Sequence, residues 1–143
     1  MIPVVVSRKP GESILDIFTV DEFAEQHFFT DSRIRETWGS VATYQRAVVN
    51  LFIEPNQRAE GFLYTESGRA VAMAMYARVT DIHYGLMAQP IMIFIDPEYR
   101  GDLKVLRAVS KLVKSVVRKL DVSWYSVPKH PAEDVQQFNT RRI

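Results

Sequence analysis

Hydrophobic and polar positions change period several times along the chain. Pro3-Val4-Val5-Val6-Ser7-Arg8 is a short β-branched run that predicts a strand, and Pro10-Gly11 breaks it. Ser13 to Phe18 is apolar and fits either a helical turn or an extended segment. Thr19 and Glu22 have capping-box spacing, which predicts a helix over about Val20 to Phe28 with Val20, Phe23, Ala24 and Phe28 on one face. Thr30-Asp31-Ser32 is a second start signal. It opens a helical stretch from Arg33 to Phe52, interrupted at Gly39-Ser40, with Val41, Tyr44, Val48, Leu51 and Phe52 on its buried face. Glu54-Pro55-Asn56 ends it.

The period then shortens. Gly61 to Tyr64 predicts a strand, Glu66-Ser67-Gly68-Arg69 a hairpin turn, and Ala70 to Val79 a second strand in which methionines alternate with alanines. Asp81 to Gly85 bends the chain. Ile91-Met92-Ile93-Phe94-Ile95 is a continuous apolar run, as in a strand covered on both faces. Pro90 fits only at the start of that strand or at a bulge.

Asp96 to Gly101 is a turn, and Asp102 can cap the helix that follows. From Leu103 to Leu120, Leu106, Val109, Leu112, Val113, Val116 and Leu120 share one face. Lys104, Arg107, Lys111, Lys114 and Arg118 form a separate cationic stripe, with no acidic residue in the helix. Val122 to Val127 predicts another strand, ended by Pro128, and Ala132 to Phe138 a short helix before a basic tail. The order is β-α-α-β-β-β-α-β-α. The strand–helix–strand crossover is expected to be right-handed and to make the last two strands parallel neighbours or near neighbours. The expected fold class is α/β, a mixed sheet with helices on both faces, in a single domain over residues 1–143.

Composition narrows the chemistry. The 143 residues include no cysteine, so disulfides, thiolate metal sites and a cysteine nucleophile are excluded. His27, His83 and His130 lack metal-ligand spacing, so no metal site is expected. No Gly-x-Ser-x-Gly elbow or P-loop occurs. Signal-peptide features are missing, and no apolar run approaches the ~20 residues of a membrane span. A cytoplasmic protein without a membrane partner is the expectation. The net charge of +1 argues against a dedicated nucleic-acid binder, although the basic helix and tail could face an acidic surface.

The start of the long helix offers unsatisfied N–H groups and a partial positive charge, with Arg100 and Lys104 adding full charges. Strand, tight turn and helix together make a diphosphate cradle. Here the chain resembles the GNAT superfamily of acyl-CoA N-acyltransferases. Members have a strand ending in hydrophobic-x-Pro-x-Tyr/Phe-Arg-Gly that runs into a long helix, matched by Ile93 to Gly101. The resemblance implies that the backbone of Phe94, Ile95 and Asp96 runs beside the pantetheine arm of acetyl-CoA. It implies that amides from Arg100 through Gly101, Asp102, Leu103, Lys104 and Val105 hold the pyrophosphate. Two motif glycines fall on Leu103 and Val105, whose side chains are expected to crowd the phosphates. In this the chain resembles small phage-encoded GNAT-like proteins, which carry Arg-Gly followed by leucines. The family continues with a helix and a final hairpin, which the segment Lys129 to Ile143 is expected to be too short to build. The last strand edge is then exposed, and homodimerisation is the expected cover.

Acyl transfer to an amine needs a base near the amine and a proton source for the leaving thiolate. Asp81, His83 and Glu98 are candidate bases. Histidine is a residue type commonly used as a general base, and His83 lies where family members often place one. Tyr125 is the candidate acid, with Ser126 beside it. Two readings follow from the resemblance: an acetyl-CoA-dependent N-acyltransferase acting on an amine, or a catalytically inactive GNAT-fold phage protein serving as a structural or interaction subunit or host regulator. The second places the protein in the host cytoplasm or the virion.

Overall fold

The structure, a computed structural model, describes residues 1–53, 56–132 and 135–143. The chain packs as two compact units, one of Met1–Lys9 with Asn56–Ile143 and one of Pro10–Pro55.

The first unit is a six-stranded sheet with one helix. Its strands are β1 (Ile2–Arg8), β2 (Arg58–Tyr64), β3 (Ala70–Asp81), β4 (Gly85–Ile95), β5 (Trp124–Ala132) and β6 (Val135–Arg142), arranged in sequence order. Every neighbouring pair is antiparallel except β4 and β5, which are parallel as expected of a strand–helix–strand crossover.

The crossover helix, labelled α4 (Leu103–Arg118), packs on β1, β2 and β3. Its Val105, Val109, Leu112, Val113, Val116 and Val117 meet a sheet face built from Ala59, Leu63, Ala72, Ala74, Tyr76, Ala88 and Tyr125. The small residues of β2 and β3 let the helix approach closely. The buried stripe differs from the expected one in detail: Leu106 is exposed, while Val105 and Val117 are buried. The basic stripe is exposed throughout.

The end of the chain corrects the sequence reading. Val135 to Phe138 is strand, not helix, and Pro128 does not end β5 but lies opposite Phe138 in the β5–β6 ladder. Past Tyr125, β5 has a partner strand on one edge only among the described residues, and proline is tolerated where no ladder bond is required of it. The 15 residues after Pro128 finish β5 and add one strand, β6, folded back on it. As expected they form no separate two-stranded hairpin, and the observed order is β-α-α-α-β-β-β-α-β-β. β6 covers the β5 edge whose exposure suggested a second copy. The β6 segment Val-Gln-Gln-Phe-Asn-Thr-Arg-Arg has little apolar alternation, so its strand conformation comes from the ladder it joins.

The second unit holds α1 (Ile17–Thr30), α2 (Ser32–Trp38) and α3 (Val41–Ile53). Asp16 caps α1 by accepting from the Thr19 N–H and hydroxyl, at 3.1 and 2.6 Å, so the helix starts earlier than the Thr19–Glu22 spacing suggested. Asp31 caps α2 through the Arg33 N–H. The break at Gly39 is a C-cap at φ 75°, where glycine avoids the left-handed penalty. Tyr44, Val48 and Phe52 are buried in α3, whereas Leu51 is exposed, contrary to expectation. Glu54 and Pro55, read as the stop after this helix, lie outside the described residues.

Candidate acyl-CoA site

The site grows from the way β4 and β5 part. Their parallel pairing consists of Met87↔Trp124 and Ala88↔Tyr125. Beyond Ala88, β4 continues to Ile95 with β3 on one side and no partner strand on the other among the described residues. A strand edge of this kind presents unpaired N–H and C=O groups. From Ala88 to Ile95 the edge runs roughly 20–25 Å at about 3.4 Å per residue. Residues 91–93 and 95 are only half-buried, so the run read as covered on both faces is partly open because the strands diverge.

A bulge marks the divergence. Opposite Met75 and Tyr76 stand Met92 and Pro90, leaving Ile91 as the extra residue of β4. Pro90 thus sits at a bulge, as its lack of an N–H requires.

The open end of the fork is a rigid turn. Asp96 is 3% exposed and accepts the Glu98 N–H at 3.0 Å, capping a 3₁₀ turn over Pro97–Tyr99. Its N–H donates to the Val71 carbonyl at 2.9 Å, and its carboxylate pairs with Arg69 at 3.0 Å. Arg100 is exposed but folded back: Nε donates to the Ile95 carbonyl at 2.9 Å and the guanidinium lies 5.1 Å from the Phe94 ring centroid. Asp102 caps α4 by accepting the Lys104 N–H at 2.9 Å. The first-turn N–H groups of Leu103 and Val105 have no intrahelical acceptor.

Leu103 and Val105, expected to crowd this spot, part company. Val105 is 1% exposed and packed in the core, while Leu103 is 68% exposed. A Cβ at Gly101 would meet nothing within 4 Å, so the approach to the helix start is open.

The closed end holds the other residues singled out from sequence. Asp81 ends β3 and accepts the His83 and Tyr84 N–H groups at 2.7 and 3.1 Å, so its carboxylate serves the turn. The His83 ring is exposed, with Nδ1 3.8 Å from Asp81, beyond hydrogen-bond reach. Tyr84 packs on Trp124 at 5.0 Å, and Arg142 covers that indole at 4.8 Å. Tyr125, opposite Ala88, is buried on the α4 face. The structure therefore gathers Phe94 to Val105 at one end of β4 and Asp81, His83 and Tyr125 toward the other.

Two more residues stand at the fork: Ser126, read from sequence only as the neighbour of Tyr125, and Tyr76, which sequence reasoning did not single out. Ser126 is 2% exposed, and its Oγ has no hydrogen-bond partner among the described residues. Tyr76 is fully buried and donates its hydroxyl to the Ser126 carbonyl at 2.8 Å. Burial, with the Tyr125 phenol adding to it, pushes the Tyr76 phenol well above its ordinary range. The available signal was a lone tyrosine in a strand of alanine and methionine, because a buried tyrosine hydroxyl must find a partner.

No family model matches the sequence, and no curated protein matches it. Solved structures do match the fold. A proposed acetyl transferase from Pyrococcus furiosus superposes with TM-score 0.62 at 12% identity, over 84% of this chain and 77% of that one. AAC(6')-Iy, solved with the bisubstrate analogue CoA-S-monomethyl-acetylneamine, gives TM-score 0.60 at 10% identity, over 92% and 82%. Spermidine N-acetyltransferase from Vibrio cholerae, solved with CoA and spermine, gives 0.54 at 13% identity, over 87% and 70%.

The fold is that of the GNAT acetyltransferases. Within this fold, β5 ends at Ala132 and β6 begins at Val135, which leaves no room for the helix that the resemblance led one to expect between them. Among the described residues no helix is long and apolar enough to cross a membrane.

Proposed function

We propose that the protein is an acyl-CoA-dependent N-acyltransferase that uses acetyl-CoA as donor and an amine as acceptor. The observation that carries this reading is the fork: a β4 edge left without a partner beyond Ala88, leading to the start of α4. The edge offers backbone groups to the two amides of a pantetheine arm, in place of the missing strand. The first turn of α4, with Lys104 and Arg100 beside it, offers N–H groups and positive charge to a diphosphate. The Ser126 hydroxyl, buried with no hydrogen-bond partner among the described residues, supports a polar occupant of the fork.

Bound acyl-CoA supplies an activated thioester carbonyl. The chain's own contributions divide by position. Phe94, Ile95 and Asp96 line the arm. The Leu103 and Val105 N–H groups, with the side-chain charges of Arg100 and Lys104, hold the phosphates, because the Arg100, Asp102 and Lys104 N–H groups already donate to the Pro97 carbonyl, the Tyr99 carbonyl and the Asp102 carboxylate. Near the closed end, His83 is the proposed base for the amine, positioned by the turn that Asp81 organises, and Tyr125 the proposed acid.

A second reading, a GNAT-fold protein that acts through interactions and not through a coenzyme, is favoured by one observation. The Asp102 carboxylate already holds the Lys104 N–H and brings negative charge to the phosphate end.

Thermal unfolding with millimolar acetyl-CoA separates the two. A ligand that binds only the folded state stabilises it by about 2.7 kcal/mol at a hundredfold excess over Kd. The acyltransferase reading expects a rise of several degrees that Arg100→Glu removes. An unmoved transition in the wild-type protein overturns it.

A further inference from the structure

The bond from the Tyr76 hydroxyl to the Ser126 carbonyl spans 50 positions in sequence and joins β3 to β5, although β4 lies between them in the sheet. Its place is specific. The last β4–β5 pair is Ala88↔Tyr125, and Ser126 is the next residue of β5. Its carbonyl is the first on β5 past the last pair with β4. Opposite Tyr76 on β4 stands Pro90, which has no N–H to offer, and beside it the bulged Ile91. Three features therefore coincide: a proline that cannot extend the ladder, a bulge that bends β4, and a buried phenol that takes the acceptor from β5.

Resting on the acyl-CoA reading above, we propose that Tyr76 is the positioning residue of the fork. Its hydroxyl replaces the ladder bond that β4 withholds, pins the apex between Ala88 and Ser126, and so sets how deeply the pantetheine end of acyl-CoA can enter. Without that bond the buried Ser126 carbonyl loses its tyrosine donor, and β5 shifts to regain one. That movement alters the apex and leaves the α4 end, where the diphosphate would sit, unchanged. The tyrosine acts through β5 and takes no part in proton transfer.

That division yields a test with two ligands. Wild type and Tyr76→Phe are titrated by calorimetry or amide NMR with acetyl-CoA and with ADP, which carries the diphosphate and no pantetheine. The expected result is acetyl-CoA binding weakened roughly tenfold, as the loss of one buried hydrogen bond predicts, with ADP binding within about twofold of wild type. Unchanged acetyl-CoA binding overturns the proposal. So does a parallel loss of both ligands, which marks a merely structural role. Wild-type protein that binds neither ligand brings down the acyl-CoA reading itself, and this inference with it. Should the variant fail to fold or ADP fail to bind, wild type with ζ-¹³C-tyrosine decides. Acetyl-CoA is expected to move the Tyr76 resonance, identified by removing the other five tyrosines one at a time. A Tyr76 signal blind to acetyl-CoA refutes the assignment.

Discussion

Arg69 Nη2 lies 3.0 Å from the Asp96 carboxylate and 3.0 Å from that of Glu98, tying the β2–β3 turn to the turn that closes β4. Its guanidinium also lies 5.7 Å from the Tyr99 ring centroid. The two partners differ in what they lose on substitution. Asp96 is buried and caps the 3₁₀ turn, whereas Arg69 is half-exposed and its ion pairs are screened by water.

Asp96→Ala is therefore expected to cost about 1–2 kcal/mol, from the lost cap and an exposed flank on the buried turn. Arg69→Gln should shift the urea midpoint by much less. Equal shifts in the two variants would place the energy in the ion pair instead of the cap.

Gly61 faces α4, and a Cβ there would overlap Val116 Cγ2 and come within 3.0 Å of Leu112 Cδ1. Gly61→Ala is expected to destabilise by about 1–3 kcal/mol through overpacking. Combining it with Val116→Ala should recover part of that loss, so the double-mutant cycle should show a coupling of about 0.5 kcal/mol or more. Strict additivity would mean that the helix moves away freely.

Arg58 and Glu60 form a buried ion pair on β2, Nε to Oε1 at 2.9 Å, with Arg8 Nε 3.9 Å from the other carboxylate oxygen. Glu60→Gln leaves buried positive charge poorly compensated and should cost about 3–5 kcal/mol. Arg58→Met with Glu60→Leu should be far milder, since paired apolar replacement removes both desolvation penalties. Chemical denaturation of the three proteins distinguishes these cases, and a double variant as unstable as Glu60→Gln would contradict the account.

The Tyr44 phenol is pushed up to about 12, by burial first and by the Asp31 charge second. The unfolded phenol ionises near 10. A folded pKa above the unfolded one means stability that is fully present below pH ~10 and is lost as pH rises through ~12. Tyr76 is shifted in the same direction by burial and adds to the loss. Tyr44→Phe should flatten the fall in stability between about pH 10 and 12. A pH profile identical to wild type would show that other groups govern alkaline unfolding.

Much of the fold was legible because local rules agreed with the tertiary outcome. Asp31, Gly39, Gly68 and Asp102 stop and start elements through their own backbone preferences and short-range bonds. The strand–turn–helix segment from Phe94 to Val105 was legible because its three elements are contiguous in sequence. Illegible parts depend on partners far along the chain. Gln136, Gln137 and Asn139 carry no strand pattern and are ordered by the β5 edge. Leu103 and Val105 both look like obstacles in sequence, and the rotation of α4 on the sheet turns only Val105 inward.

By itself the sequence determined the amphipathic α4, the apolar Ile91–Ile95 end of β4 and the turn at Glu66–Arg69, and it restricted Pro90 to a strand start or a bulge, because each follows from side chains within a few residues of one another. The tertiary structure alone decided where β4 and β5 separate, that β6 closes the sheet, and that Tyr76 meets Ser126. Those outcomes depend on which distant backbone groups are left over once the strands have paired, and a buried donor or acceptor accepts whichever partner the packing brings within reach.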